Sequence, residues 1–409
     1  MPAPQRPPAL PMIGTGMLIV IVTLVFARLA FGLILPPMRD DLGLSYQQVG
    51  NLGTMSALGY LALVMTAGVT AARWGGRRTV LLGVILVTLG CIGLSVATHY
   101  WLLLALMTLL GIGTAFSYTP LVSLLASWYP ERRGAVIGAL NAGVGVGMLV
   151  AGALIPFMTE TFVPHGWRLS WAVFAACGVI AGAALLAFIH NPPPPPGAVD
   201  GQPLPPVNKG AVYRNRRVIT VGLLYGIVGI TYIVHTIFMF SFALDAGLSP
   251  LTAGRLTALM GVLSIFAGPL WGGLSDRTGR GNTLLLSTTL TLLGTLLPVL
   301  WPTLTGFVVH YLVLGVTVSG MFTSVLAAAT DQVQPREAPL AVSYVTLFYA
   351  IGQLVGPGAA GLLIDWSGSF RVTFAISCVV MLAGVYLSWQ VRSFRRPAAA
   401  PAVERGVGA

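Results

Sequence analysis

The sequence predicts an all-α membrane protein of twelve transmembrane helices, arranged as two pseudo-symmetric six-helix bundles. Three observations predict it: the composition, the spacing of the apolar stretches, and a self-similarity at an offset of 204 residues. Hydrophobic residues make up 56% of the 409 and charged residues only 8%, against about 25% charged in ordinary soluble chains. That balance excludes a soluble globular domain and makes lipid the expected solvent.

The apolar stretches lie at 12–38, 46–71, 79–97, 101–128, 133–158, 169–189, 218–244, 250–274, 282–300, 304–329, 338–363 and 370–391. About 20 apolar residues in a helix cross a hydrocarbon core of about 30 Å. Strands of a barrel would instead alternate apolar and polar residues over segments of about 10, and no stretch does so. The 50 glycines and 28 prolines suit membrane helices that pack closely or bend. The opening MPAPQRPPALP is proline-rich, and no small-residue cleavage site follows a short apolar core, so the first apolar stretch is expected to stay. Cys91, Cys177 and Cys378 sit in different stretches and read as small buried hydrophobes rather than a disulfide framework.

The formal charge of +11 is explained by topology rather than by nucleic acid. With the N-terminus in the cytoplasm, 17 of the 22 basic residues fall on that side, as the positive-inside rule requires. Arg39, Arg168, Arg255 and Arg371 fall outside, and Arg28 lies within the first helix. The expectation is a monomeric, multi-pass protein of a bacterial inner membrane with both termini cytoplasmic.

The halves follow from the repeat. Residues 1–190 form the first bundle, 191–217 a cytoplasmic linker with five consecutive prolines at 192–196, and 218–409 the second bundle with a short basic tail. Asp41-Leu-Gly-Leu-Ser45 matches Asp245-Ala-Gly-Leu-Ser249, and Arg73-Trp-Gly75 matches Arg277-Thr-Gly279. At an offset of 205, Pro130-Glu-Arg132 matches Pro335-Arg-Glu337. Parallel repeats of this kind place a substrate site between the halves near the midplane, with access alternated by rocking.

Gly272-Gly-Leu-Ser-Asp276-Arg277-Thr-Gly279-Arg280 resembles the loop motif of the major facilitator superfamily, and the resemblance extends over nearly the whole chain. The first-half copy runs from Gly68 through Ala72, Arg73 and Gly75 to Arg77 and Arg78. In that family the motif's carboxylate latches a neighbouring helix end at the cytoplasmic gate, so Ala72 implies an asymmetric gate. Asp276 is expected to pair with the start of the fifth helix near Arg132 and Arg133. Trp128-Tyr-Pro-Glu-Arg-Arg-Gly-Ala-Val-Ile-Gly138, followed by Asn141-Ala-Gly-Val-Gly145, resembles the monocarboxylate and oxalate–formate carriers. Phe26-Ala-Arg28-Leu-Ala-Phe-Gly32 resembles the YbfB-type bacterial branch.

Arg28 carries the functional reading. An arginine at membrane depth costs roughly 2.5–3.5 kcal/mol, all eleven acidic residues lie in loops or at helix ends, and a guanidinium fork suits a carboxylate or phosphate. The resemblance implies that the first, fourth, seventh and tenth helices line the cavity. Candidate substrate-binding residues are therefore Arg28, Tyr118 with Ser117 and Thr114, Tyr232 (the repeat equivalent of Arg28) and His235. Asn141, Tyr344, Tyr349 and Gln353 join them from the fifth and eleventh helices. His235 and His310 are the intramembrane groups able to change charge near neutral pH, hence the proton-coupling candidates; uniport and anion exchange stay open.

The function expected is secondary or facilitated transport of a small, monocarboxylate-like organic anion by alternating access. Drug or metabolite efflux on the same scaffold is the alternative. No nucleotide-binding Gly-x-x-x-x-Gly-Lys-Ser/Thr loop occurs, and the five histidines are scattered, so neither an enzyme, a metal site nor a cofactor is expected.

Overall fold

The computed structural model describes residues 8–192, 209–334 and 337–394. Twelve helices among them are long and apolar enough to cross a membrane. The first span is one rod in three parts: α1 (Ala9–Val20), a π-helical tract (Ile21–Leu29) and, past Ala30, α2 (Phe31–Leu42). Then follow α3 (Tyr46–Trp74), α4 (Gly76–Val96), α5 (Tyr100–Trp128), α6 (Arg133–Thr161) and α7 (Gly166–Phe188). The second half opens with the short α8 (Lys209–Tyr213) and continues through α9 (Arg216–Asp245), α10 (Pro250–Thr278) and α11 (Arg280–Leu300). It ends with α12 (Leu304–Thr330), α13 (Ala338–Ser367) and α14 (Phe370–Arg392).

The first rod outruns its expected limits of 12–38. Pro36 and Pro37 are accommodated inside α2, and termination waits for Gly43 at φ 62°, where a side-chain-free residue closes the helix at no steric cost. Of the expected linker, residues 193–208 lie outside the described residues, while 209–213 are helical. The repeat is written into the backbone. Gly43 and Gly247, and again Gly75 and Gly279, all take positive φ at corresponding positions, and Ser45 and Ser249 cap α3 and α10 through their hydroxyls.

Each half packs in the same pattern. The pairs α3–α5, α4–α5 and α4–α7 of the first half match α10–α12, α11–α12 and α11–α14 of the second. The halves meet along α3–α13, α6–α10 and α2–α9, through small residues. A Cβ on Gly50 would stand 2.2 Å from the Pro357 carbonyl oxygen, and one on Gly145 2.5 Å from that of Gly261. The first of these approaches lies near the end bearing Gly43 and Gly247, the second near the middle of α6 and α10. Gly138 lies two turns before Gly145, Gly268 two turns after Gly261, and Gly68 five turns after Gly50, each on the same helix face as its partner. None of the three has a neighbour within 4 Å of its Cβ position. The bundles are thus sealed at one end and parted at the end that carries the loop motifs.

A charged contact supplements the seal. Asp365, near the end of α13, accepts the backbone N–H of Tyr46 (3.0 Å) and of Gln47 (2.7 Å) at the start of α3, where a carboxylate also meets the positive end of the helix dipole. The counterpart residues at the start of α10 are Pro250 and Leu251. Proline has no N–H, so α10 cannot be gripped by two adjacent amides in this way. Replacing Asp365→Asn is expected to weaken the sealed end by about 1 kcal/mol, about fivefold in the conformational ratio. Maleimide labelling of Thr54→Cys in a cysteine-free background should rise accordingly, whereas Glu160→Gln, at the counterpart position, should leave it unchanged.

Candidate substrate site

The π-helical tract sets the site. Its bonds run one residue further than those of an α-helix, as in Ala30 N–H to the Val25 carbonyl (2.8 Å). The Thr23 carbonyl, within the tract, receives the Thr114 hydroxyl of α5 at 2.6 Å. Thr114, noted in the sequence as a cavity marker, is therefore a prop for the rod that carries Arg28.

Arg28 is 9% exposed. Its Nη2 donates to Gln353 Oε1 across the junction of the halves at 3.3 Å, and its guanidinium carbon lies 5.1 Å from the centre of the Tyr60 ring. Arginine can only donate, so Gln353 presents its oxygen, and its Nε2 donates to the Tyr349 hydroxyl at 2.8 Å. Pro357 removes the N–H that would bond the backbone carbonyl of Gln353, so α13 is loosened where it meets Arg28. Tyr349 stacks on Tyr225 at 4.5 Å, and Phe322 stands edge-on to Tyr225, Tyr232 and Tyr349. Tyr60, Tyr349 and Tyr232, all neutral phenols, are the titratable groups around the guanidinium, and no carboxylate among the described residues joins them. The result is one cation in an aromatic cradle built by both halves.

Of the sequence candidates, Arg28, Tyr232, Tyr349 and Gln353 meet here. Tyr118 and Asn141 form their own pair, hydroxyl to Oδ1 at 3.2 Å. Tyr344 does not join them: it packs on Tyr213 at 4.9 Å and on Phe348 at 5.3 Å, toward the parted end. His235 and His310 come together, Nε2 to Nε2, at 2.9 Å, a pairing of α9 with α12. Tyr60, Tyr225 and Phe322 were not singled out from sequence. Tyr225 had a signal, since it lies two turns before Tyr232 on the same face of α9; Tyr60 had none, because α3 is not one of the helices the resemblance assigns to the cavity.

At the loop motifs, Arg77 donates through Nη2 to the Leu186 carbonyl (2.5 Å) and through its backbone N–H to Asn191 (2.8 Å), which ties α4 to the end of α7. Arg280 pairs with Asp331 at 2.7 Å, a partner the sequence reading did not foresee. Arg73, Arg78 and Arg277 are exposed beside Gly68, Gly75, Gly272 and Gly279. The side chains of Asp276 and Arg133 lie outside the described residues, and with them the expected latch.

The fold has close counterparts among solved structures. A bacterial homologue of the human lysosomal transporter Spinster, captured inward-facing and unoccupied, superposes with a TM-score of 0.77 at 18% identity over 93% of this chain and 96% of that one. The nucleoside transporter NupG gives 0.75 at 12% identity over 93% and 99%. By sequence, human monocarboxylate transporter 11 is 25% identical over 88% of this chain and 78% of its own. The hexuronate transporter of Bacillus subtilis is 25% identical over a shorter stretch, 41% of this chain and 39% of its own. The family described as uncharacterised MFS-type transporter YbfB matches residues 20–388. With twelve spans in two matching halves, a cradle at their junction and that match over most of its length, the chain belongs to this family of major facilitator superfamily transporters, and is a transporter rather than an enzyme.

Proposed function

We propose that the protein moves a small organic monoanion across a bacterial inner membrane by alternating access, with Arg28 as the carboxylate anchor. The observation that carries this reading is the guanidinium itself. It is buried at a cost of roughly 2.5–3.5 kcal/mol, yet its hydrogen-bond partner is one neutral amide at 3.3 Å. A carboxylate entering the cradle displaces Gln353 from the fork and forms two charge-assisted bonds in its place. One cation supports a single negative charge, which suits a monocarboxylate or a hexuronate, the substrates named for two relatives. Both termini are assigned to the cytoplasm on the distribution of basic residues, which makes the parted end the inner one.

The aromatic lining favours a second reading, export of amphipathic compounds, and one experiment separates them. Purified protein in proteoliposomes is offered small monocarboxylates, sugar acids, dicarboxylates, phosphorylated anions and lipophilic cations. Flux of monoanions, at least tenfold above that of dicarboxylates and of cations, is the expected result. Transport of lipophilic cations with no flux of any monoanion would overturn the proposal.

A further inference from the structure

Two buried histidines of the second half remain unused by this scheme, and their hydrogen bonding can be traced from a covalent fact. Pro298 lies four residues after Gly294 within α11 and has no N–H, so the Gly294 carbonyl lacks its helical donor. His310 Nδ1 stands 2.8 Å from that carbonyl. A carbonyl only accepts, so the His310 proton is on Nδ1, and its Nε2 carries a lone pair. The neighbouring His235 Nε2, 2.9 Å away, must then be the protonated one. His235 Nδ1 is left as a bare acceptor, buried and without a hydrogen-bond partner. The tautomers of both rings are thus fixed in sequence from Pro298, and the chain of bonds ends in one vacant lone pair.

That lone pair belongs to a ring lining a small cavity with room for a water molecule. Thr231 and Tyr232 of α9, Thr291 and Thr295 of α11 and Ser377 of α14 supply its hydroxyls, and Leu314, Val318, Met321 and Met381 its apolar wall. Tyr311 of α12 stands edge-on to both imidazoles. No carboxylate or guanidinium from α9, α11, α12 or α14 lines the cavity among the described residues. A proton held here has no fixed counter-charge of its own. Tyr232 belongs to this cavity and also stands in the field of Arg28, so the histidine pair and the anion cradle share a wall.

We infer that His235 and His310 form a one-proton site, loaded at His235 Nδ1 from the cavity, whose charge offsets that of the anion bound at Arg28 so that the fully loaded carrier has the net charge of the empty one. The inference rests on the anion reading for its counter-ion but not for its chemistry. Loading adds one proton to the free lone pair and breaks no existing hydrogen bond. A second proton would have to enter at His310 Nε2, where it would face the N–H of His235 head-on, so occupancy stops at one. The coupling is electrostatic: the cationic pair favours the anion in the adjoining cradle, and the anion favours the proton. Empty and doubly loaded carriers are the states that reorient, which gives symport of one proton with one monoanion.

Two measurements test this, and they fail separately. In full-length protein labelled with ¹⁵N-histidine in nanodiscs, the resonances of the pair are assigned through His235→Gln and His310→Gln. At alkaline pH His310 should appear as the Nδ1–H tautomer and His235 as the Nε2–H tautomer. On acidification His235 alone should become doubly protonated. Independent titration of both rings, or the opposite tautomers, overturns the one-proton site whatever the substrate is. In the second measurement, lactate uptake into liposomes is expected to rise at least fivefold when the outside is made acidic. His235→Gln should abolish that stimulation and retain lactate exchange in the absence of a gradient, whereas Arg28→Ala should lose both. Gradient stimulation that survives in His235→Gln overturns the coupling. If no variant and not the wild type moves lactate or any other monoanion, the anion reading fails, and the tautomer measurement still decides the proton site.

Discussion

Arg28→Ala is expected to abolish monoanion transport while leaving the protein as stable as the wild type or more so. Removing the anchor of a charged ligand costs about 3 kcal/mol, about a hundredfold in apparent affinity or in transport efficiency. The stability argument runs the other way. Arg28 makes one hydrogen bond, at 3.3 Å to a neutral amide, and one contact with an aromatic face, which together return little of the roughly 2.5–3.5 kcal/mol spent in holding an arginine at membrane depth. A residue kept for packing would show the reverse, a lower melting temperature with proportionate loss of flux. Arg28→Lys keeps the charge and loses the fork, and should recover part of the flux, to within roughly tenfold of wild type. Thermal unfolding in detergent, read beside counterflow in liposomes, checks both halves of the expectation. Equal loss of stability and activity in Arg28→Ala would make the residue structural.

The second large effect is steric. Gly50→Ala should hold the sealed end open, because its Cβ would stand 2.2 Å from the oxygen and 2.9 Å from the carbon of the Pro357 carbonyl. Both are backbone atoms, so no side chain can swing aside, and the two halves must separate instead. Overpacking of this kind costs about 1–3 kcal/mol, a shift of up to about a hundredfold toward the state open at that end. Gly68→Ala sits on the same helix face five turns away with nothing within 4 Å, and should be silent. Spin-label distances across α3 and α13, or labelling of Thr54→Cys, distinguish the two. An unchanged sealed end in Gly50→Ala would mean that this approach is not what closes the molecule.

What could be read from the sequence was what depends on one segment at a time. Length and composition give the spans, because a helix in lipid must satisfy its own backbone, and the positive-φ pairs Gly43/Gly247 and Gly75/Gly279 were visible as matched loop residues. Arg28 stood out because its position alone is costly. What depends on two helices facing each other was not legible. His235 and His310 are 75 residues apart, and each alone is an ordinary helix residue; their bond exists only once α9 and α12 pack. Tyr344 and Tyr349 look alike in sequence, yet a difference of five positions along α13 sends one to the cradle and the other toward the parted end. The end of the first span was placed at residue 38, after Pro36 and Pro37, whereas the helix runs on to Leu42, because only the contacts of the packed bundle decide where such a rod stops. The two sides of Pro250 against Tyr46 were plain in the repeat, but only the position of Asp365 gives that difference a role.

The π-helical tract ties the site to the backbone of the first rod. Ile21–Leu29 carries more residues per turn than the α-helix on either side of it, an irregularity that the rod absorbs without breaking. Deleting one residue there would let the wide turns tighten toward α-helix, with the flanking segments close to their present facing and the residues inside the tract redistributed around the rod. The placing of the guanidinium against Gln353 and Tyr60 therefore depends on an irregularity of the backbone as much as on the side chains that meet there.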